Sequence, residues 1–309
     1  MVRFLFSRVI SASIVMLGVS CLVFLLIHLI PGDPVEVMLG ETARPVDREA
    51  LRQALGLNQP IHQQWWGYMK GLLHLDLGVS LHSKRPIFDL LKERFPVTFE
   101  LTFFSLLVAV GLGFPLGVVA AVNKGTPWDY FAIGISILGV SIPIFWLGPL
   151  MILLFSYGLG WFPVSGREGI ASIFLPAFTL GFAMSAILSR MVRSSLLEIL
   201  SEDYIRTARA KGIQEWRVIW YHTLRNAMLP VITVLGLQLG ALLGGTVIIE
   251  WVFSWPGIGQ LTIEAIQKRD YPLVQGCVLM ISLTYVLVNT GIDFVYGWLD
   301  PRIRLSEEG

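Results

Sequence analysis

A series of long, nearly uncharged apolar stretches constrains this chain more than any other feature. An α-helix needs about 20 such residues to cross the roughly 30 Å hydrocarbon core of a bilayer. Six stretches meet that length, at 9 to 30, 100 to 122, 131 to 157, 171 to 190, 231 to 253 and 274 to 298. Only 15% of the 309 residues are charged, against about 25% in soluble domains. The sequence therefore predicts an all-α, polytopic membrane protein with six transmembrane helices.

The distribution of Lys and Arg predicts the orientation of these helices. Positive charge is retained on the cytoplasmic side in short connections, whereas long loops cross largely regardless of charge. If the N-terminus lies inside, the short outer loops hold only Arg167, Lys268 and Arg269, and the inner connections hold most of the rest. Both termini are therefore expected in the cytoplasm.

The same pattern predicts three parts of the chain. Residues 1-30 are a tail and first transmembrane helix, which is too long for a signal peptide core of about 7 to 15 residues. Residues 31-96 form an extracytoplasmic loop subdomain with short helices over Val46 to Leu57 and Ile61 to Leu75. Residues 97-309 form a core with five transmembrane helices and a cytoplasmic segment, 191-230, which we call the candidate coupling segment.

Glycines spaced four residues apart predict close packing between helices. Gly113 and Gly117 lie on one face of the second span, and Gly236, Gly240 and Gly244 lie on one face of the fifth. A glycine stripe of this kind lets a second backbone approach. Pro143 lies inside the predicted third span, where we expect it to weaken the backbone hydrogen bonds.

Motifs for catalysis are missing from the sequence. It contains no G-x-x-x-x-G-K-[ST] phosphate loop, no H-E-x-x-H, no C-x-x-C and no G-x-S-x-G, which are the usual signals of ATP hydrolysis, metal sites and a nucleophile elbow. We expect no catalytic residue, no metal site and no cofactor bound by this chain.

Ionisable residues are nearly absent from the centres of the spans, where an ion-coupled transporter would place them. An ion-coupled secondary transporter therefore stays a remote alternative, as does a membrane scaffold. A polar side chain in hydrocarbon needs a partner or water. Ser141, Gln238 and Asn289 are accordingly candidates to line a translocation pathway.

The candidate coupling segment has the composition of two short helices separated by a turn. Ser201 is placed to cap the first helix, Gly212 allows a turn, and Gln214 to Asn226 can resume helix before Pro230. Two helices that project from a membrane domain can transmit motion from a soluble partner. A basic helix bound to anionic lipid is the competing interpretation.

At this segment the sequence resembles the permease subunits of binding-protein-dependent ABC importers. That family carries E-A-A-x-x-x-G and then I-x-L-P in a loop that docks into the ATPase subunit. The corresponding residues here are Arg206-Thr207-Ala208-Arg209-Ala210-Lys211-Gly212 and Ala227-Met228-Leu229-Pro230. The last Ala of the first motif, its Gly and the final Leu-Pro match, whereas the Glu, the first Ala and the Ile do not.

Further stretches resemble the dipeptide, oligopeptide and nickel branch of that family. They are His28 to Pro34, Leu55 to Pro60, Asp76 to Ser80, Glu250 to Gly259 and Asp300 to Arg304. The resemblance covers essentially the whole chain. It implies the permease fold of type I ABC importers and a location in the bacterial inner membrane.

The resemblance also implies partners and a function. The partners would be a second homologous permease, two ATPase subunits that bind ATP and Mg, and an extracytoplasmic solute-binding protein, with no nucleic acid. The cargo would be short peptides, with nickel chelates, glutathione or another small solute as alternatives. The residues implied in ATPase coupling are Tyr204, Arg206, Thr207, Ala208, Gly212, Leu229 and Pro230.

Overall fold

A computed structural model describes residues 2–29, 35, 44–54 and 57–299 of the chain. Within these ranges the regular structure is helical, and the one β-type pairing is an isolated antiparallel bridge between Val79 and Pro86. The helices are α1 (Val2–Leu29), α2 (Pro45–Ala54), α3 (Ile61–Leu73), α4 (Ile87–Val122), α5 (Pro127–Ser141), α6 (Ile144–Met151), α7 (Ala171–Leu200), α8 (Asp203–Ala210), α9 (Glu215–Arg217), α10 (Leu224–Val252), α11 (Ile258–Gln267) and α12 (Tyr271–Leu299). Single π-helical segments, Ile152–Gly158 and Val218–Thr223, follow α6 and α9.

One compact unit comprises Met1–Thr98 and Pro256–Val286. Its buried core joins Ile87 and Leu91 of α4 to Leu261 of α11 and Cys277 of α12. The packing is close at Gly276, where an added Cβ would lie 2.5 Å from Cγ2 of Ile87. Apolar burial therefore ties α11 and α12 to the first part of α4.

A buried carboxylate organises the loop before α4 in this unit. Asp270 is 1% exposed and accepts hydrogen bonds from the hydroxyl of Ser80 at 2.5 Å and from the backbone N–H groups of Leu81 and His82 at 3.1 and 3.3 Å. It also accepts the N–H of Leu273 in the first turn of α12, as residues before a helix commonly do. The Asp76 to Ser80 motif is thereby fixed to the start of α12.

The two short helices predicted after the first span are confirmed. They are α2 and α3, which end within three residues of the predicted limits. Tyr68 of α3 stacks on Phe24 of α1 with the ring centroids 5.7 Å apart.

The second unit comprises Phe99–Trp255 and Leu287–Gly309. Helix α7 packs against α5, α6 and α10, and its apolar residues Leu188, Val192 and Leu196 are almost fully buried. Because these units are defined by contacts, they do not follow the sequence-based divisions at residues 30 and 96, which stay predictions.

Close packing is confirmed at three of the predicted glycines, Gly113, Gly117 and Gly236, whereas for Gly240 and Gly244 it stays a prediction. A Cβ added to Gly113 would lie 2.6 Å from the carbonyl oxygen of Ser185, and one added to Gly117 would lie 2.6 Å from that of Ser189. At Gly236 the obstacle would be Ile292 of α12, also at 2.6 Å. Glycine is required at Gly113 and Gly117 because the facing atoms include backbone, whereas at Gly236 they belong to the side chain of Ile292.

Three described helices are long and apolar enough to cross a membrane, α4, α7 and the Tyr271–Ile292 part of α12. The predicted third span, 131 to 157, is wrong as a continuous helix. Helices α5 and α6 meet at a bend of 103° at Ile142 and Pro143, because proline disfavours helical backbone at the residue before it. If this bent pair is one span the count is four, and the predicted six spans stay a prediction.

Candidate functional site: the segment 191 to 230

The candidate coupling segment begins inside α7 and ends inside α10. After Leu200 the chain turns at Ser201 and Glu202, forms α8, turns again at Gly212, and continues through α9 and the π-helical segment into α10. The two predicted helices are therefore present. The second one is continuous with the long apolar helix α10.

Ser201 does not cap α8, contrary to the sequence-based prediction. Its hydroxyl donates to the carbonyl oxygen of Glu198 at 2.7 Å, at the end of α7. The residue before α8 is Glu202, which makes no capping hydrogen bond through its side chain. The hydroxyl satisfies a free carbonyl at the end of one helix in preference to an N–H at the start of the next.

Gly212 turns the chain between α8 and α9. Its φ of +75° lies in the left-handed region, and its N–H donates to the carbonyl oxygen of Arg209 at 2.9 Å, followed by Ile213 to Ala208 at 3.2 Å. This pattern is the common helix ending in which glycine avoids the Cβ clash of other residues. The matched glycine of the motif is therefore required by the backbone.

A small apolar core holds α8 against the following turn. Ile205 and Val218 are fully buried and Ala208 is 7% exposed, with Ile213 packed beside them. Ala208 therefore supports the turn from within, and only small side chains fit there. Most of Ala208 is therefore covered within this chain, and its role in ATPase coupling stays a prediction.

Polar contacts fix the outer face of the same turn. The guanidinium of Arg209 donates to both oxygens of Glu215, which raises the pKa of Arg209. The amide of Asn226 donates to the hydroxyl of Tyr204 at 2.8 Å. Tyr204 therefore links α8 to the start of α10, in addition to being 42% exposed.

The exposed surface of the segment combines charge with aromatic rings. Arg206 and Thr207 are exposed on α8, and Arg206 forms an ion pair at 3.4 Å with Asp203, whose side chain is more exposed still. Sequence reasoning missed three exposed aromatic side chains on the following turn, Trp216, Trp220 and Tyr221. Exposed aromatic residues beside arginine are typical of protein interfaces.

The second predicted helix does not end before Pro230, contrary to the sequence-based prediction. Pro230 lies inside α10, which runs from Leu224 to Val252. Proline in a helix interior removes one backbone hydrogen bond, and here the helix continues nonetheless. The neighbouring Leu229 is 36% exposed. The Leu229-Pro230 pair thus lies within α10, five residues after its first residue.

An ion pair outside the sequence-based candidates lies at the entrance to the segment. Arg193 of α7 donates to both oxygens of Asp129 at the start of α5, with distances of 2.8 and 2.9 Å. The N–H of Gly125 donates to the same carboxylate at 3.0 Å. The only sequence signal was one acidic and one basic residue, each at the end of an apolar stretch.

The structure does not place the three pathway candidates in one described site. Gln238 is 7% exposed, and its Nε2 donates to the carbonyl oxygen of Met184 on α7 at 3.2 Å. Ser141 is exposed at the end of α5, beside the bend, and Asn289 is half-buried on α12. Within this chain Gln238 acts as a link between helices, and a pathway role for the three stays a prediction.

Family comparisons cover nearly the whole chain. Residues 113–305 match the profile described as binding-protein-dependent transport system inner membrane component. Residues 1–102 match that of the N-terminal part of such membrane components. The dipeptide transport system permease protein DppB of Escherichia coli (strain K12) is 42% identical, with 98% of this chain and 99% of that protein covered.

A second relative and two solved structures agree with these matches. The glutathione transport system permease protein GsiC of Escherichia coli (strain K12) is also 42% identical, again over 98% of this chain and 99% of the relative. The fold resembles the inward-facing MetNI methionine ABC transporter, with a TM-score of 0.60, 20% identity and coverage of 68% of this chain and 96% of that chain. An amino acid ABC transporter gives a TM-score of 0.52 at 15% identity, covering 69% of this chain and 94% of that one.

These matches extend over both compact units, and the solved structures share the helical fold. The chain therefore belongs to the family of binding-protein-dependent transport system inner membrane components and is a DppB-like permease, a non-catalytic membrane component of an ABC importer.

Proposed function

We propose that this permease forms the translocation pathway through which an ATP-driven importer takes up short peptides. The observation that carries the proposal is 42% identity to a dipeptide permease over 98% of the chain. Glutathione is the second candidate cargo because a glutathione permease is equally similar. Both are small peptides, so the two candidates share a chemical class.

The proposed assembly contains this chain, a second homologous permease, two ATPase subunits and an extracytoplasmic solute-binding protein. ATP and Mg bind to the ATPase subunits, and this chain binds no cofactor. The family supports a bacterial inner membrane location, and the apolar stretches and charge distribution of the sequence favour six spans with both termini in the cytoplasm. This orientation places the coupling segment beside the ATPase subunits.

The coupling segment would connect those subunits to the membrane helices. Helix α8 presents Arg206 and Thr207 outward, while Ile205 and Ala208 hold it on Val218. Because α9 continues into α10, a push on α8 from a closing ATPase reaches an apolar helix directly. The buried core and the Arg209–Glu215 pair make the two helices move as one body.

Uptake into proteoliposomes tests both the function and the cargo. The complete assembly is reconstituted with ATP inside, and uptake of a radiolabelled dipeptide is measured alone and with an excess of unlabelled dipeptide, glutathione or a nickel chelate. The expected result is ATP-dependent uptake that the unlabelled dipeptide inhibits and the nickel chelate does not. Stronger inhibition by glutathione than by the dipeptide would favour the second cargo, whereas uptake driven by a proton or sodium gradient without ATP would contradict the proposal.

A further inference from the structure

A cavity of about 490 Å³ lies within the first compact unit. Its walls come from α1, α3, the loop before α4, the first turns of α4, and α12. The volume lies within the roughly 300 to 1,000 Å³ range of small-molecule sites. Several of its lining residues are exposed, so the cavity is open on one side and accessible to an occupant.

The lining of the cavity is almost entirely apolar. Leucine, methionine and aromatic side chains dominate, including Leu72, Met69, Leu279 and Met280. Ser20 is the one hydroxyl, amide or charged side chain among the described residues that line it, and its Oγ already donates to the carbonyl oxygen of Leu17 at 2.8 Å. The charged ends of a short peptide would find no partner here. Water is also disfavoured because apolar cavities stay dry.

The position of the cavity indicates where its occupant comes from. Leu17 of the apolar helix α1 and Leu283 of α12 are 56% and 39% exposed at its edge. Trp65 and Trp66 of α3 also line it, and tryptophan is enriched at the level of lipid headgroups. The cavity therefore opens toward the bilayer at an interface.

A positively charged side chain shares a face of α3 with Trp66. Lys70 is exposed on α3, one helical turn after Trp66 and one before Leu73, so that the three residues share a face of the helix. A lysine at this level extends its ammonium group toward phosphate while its methylene groups cover apolar surface. The positive charge of Lys70 and the apolar cavity thus match the two parts of a phospholipid, its phosphate and its acyl chains.

We propose that this cavity is a phospholipid site, in which one acyl chain fills the apolar volume and the phosphate lies near Lys70. The lipid would fill the space between α1, α3 and α12 and so hold the first helix to the rest of the unit. Nothing in this inference depends on the cargo that the importer carries.

The test uses the complete importer in nanodiscs that contain a phospholipid with a photoreactive group in its acyl chain. After illumination, mass spectrometry measures the lipid attached to Met69 and Met280, which line the cavity, and to peptides around Leu25 of α1, which is 50% exposed and does not line it. Cavity residues are expected to be labelled more strongly than this exposed reference. Equal labelling would overturn the site.

Filling the cavity provides the second measurement. Leu72→Trp and Leu279→Trp, from two different helices, should each lower cavity labelling by about tenfold because several methylene groups lose their burial. The control Leu25→Trp should leave it unchanged. If either filled variant fails to fold, the other and the wild-type comparison still decide. Labelling unaffected by both substitutions would contradict the proposal.

The headgroup contact is tested separately. With an anionic phospholipid probe, Lys70→Glu should reduce labelling about threefold or more, and Lys70→Arg should preserve it. Unchanged labelling in the Lys70→Glu variant would contradict the proposed contact between Lys70 and the lipid phosphate. If Met69 or Met280 cross-links to the second permease and not to lipid, the cavity is a subunit interface and the lipid proposal is wrong.

Discussion

Asp129 and Arg193 form a two-pronged ion pair that joins the start of α5 to the last part of α7, eight residues before the turn that begins the coupling helices. The carboxylate side chain is 3% exposed and the guanidinium side chain 26%. A third donor, the N–H of Gly125, completes the site. The pair therefore holds the last part of α7, from which the chain continues into α8, against the start of α5.

Breaking this pair should destabilise the protein. Asp129→Asn leaves the partly buried Arg193 without its carboxylate, and we expect a loss of about 2 kcal/mol, below the 3 to 5 of a fully buried pair because arginine keeps some solvent. Thermal unfolding of the purified assembly measures it. Asp203→Asn, in the exposed Arg206 pair, is the matched control and should cost below about 1 kcal/mol. An equal effect of both substitutions would refute the assignment.

The glycines of α4 should respond in opposite directions to the same substitution. Gly117→Ala places a Cβ 2.6 Å from the carbonyl oxygen of Ser189 and from Val192, and overpacking of this kind costs about 1 to 3 kcal/mol. At Gly111 nothing lies within 4 Å of an added Cβ. There, Gly111→Ala should be neutral or stabilise the helix by up to about 1 kcal/mol. Equal unfolding temperatures for the two variants would contradict the close approach of α4 and α7.

Strain at the coupling turn should separate ATP hydrolysis from transport. Gly212→Val forces a β-branched residue into φ of +75°, at a cost of about 1 to 2 kcal/mol, although no atom lies within 4 Å of the added Cβ. We expect an intact membrane fold and a lower ratio of peptide imported to ATP hydrolysed.

Gly160 offers a matched control for that substitution. It also has positive φ, +66°, and open space around an added Cβ, but it lies in the loop after α6. Gly160→Val should strain the backbone similarly and leave the transport ratio unchanged. If both variants lose transport in parallel, general destabilisation explains the result and the coupling role of Gly212 fails.

Cysteine accessibility should distinguish the outer from the inner face of α8. In a background with Cys21→Ala and Cys277→Ala, Thr207→Cys should react readily with a maleimide and cross-link to the ATPase subunit. Ala208→Cys should react far more slowly because Ala208 is 7% exposed within its small core. Protection of Thr207→Cys by bound ATPase adds a second readout. Reaction at Ala208→Cys before Thr207→Cys would show that the arrangement of α8 is wrong.

Local patterns predicted the local structure well. The loop helices α2 and α3, the turn at Gly212 and the glycine contacts at Gly113 and Gly117 all depend on spacing within one or two turns of helix. The burial of Ala208 could not be read from its motif. It depends on Val218, ten residues away across a turn, and a sequence pattern does not show which face of α8 packs on that turn.

Competition between neighbouring groups explains the other differences. The hydroxyl of Ser201 lies between the end of α7 and the start of α8, and it bonds to the carbonyl oxygen of Glu198 in α7. Proline was a poor guide to helix ends, since the chain bends sharply at Pro143 but continues through Pro230. The partners of the Asp129–Arg193 pair are 64 residues apart, and only the packing of α5 on α7 brings them together.

The most direct test of the central claim is ATPase activity of reconstituted assemblies. The purified permease is measured alone, then with the second permease and the ATPase subunits, and finally with binding protein and a panel of di- to pentapeptides. Activity should be absent from the permease alone and stimulated by peptide only in the complete assembly. Failure to associate with any ATPase subunit, or activity that never responds to peptide-loaded binding protein, would contradict the account.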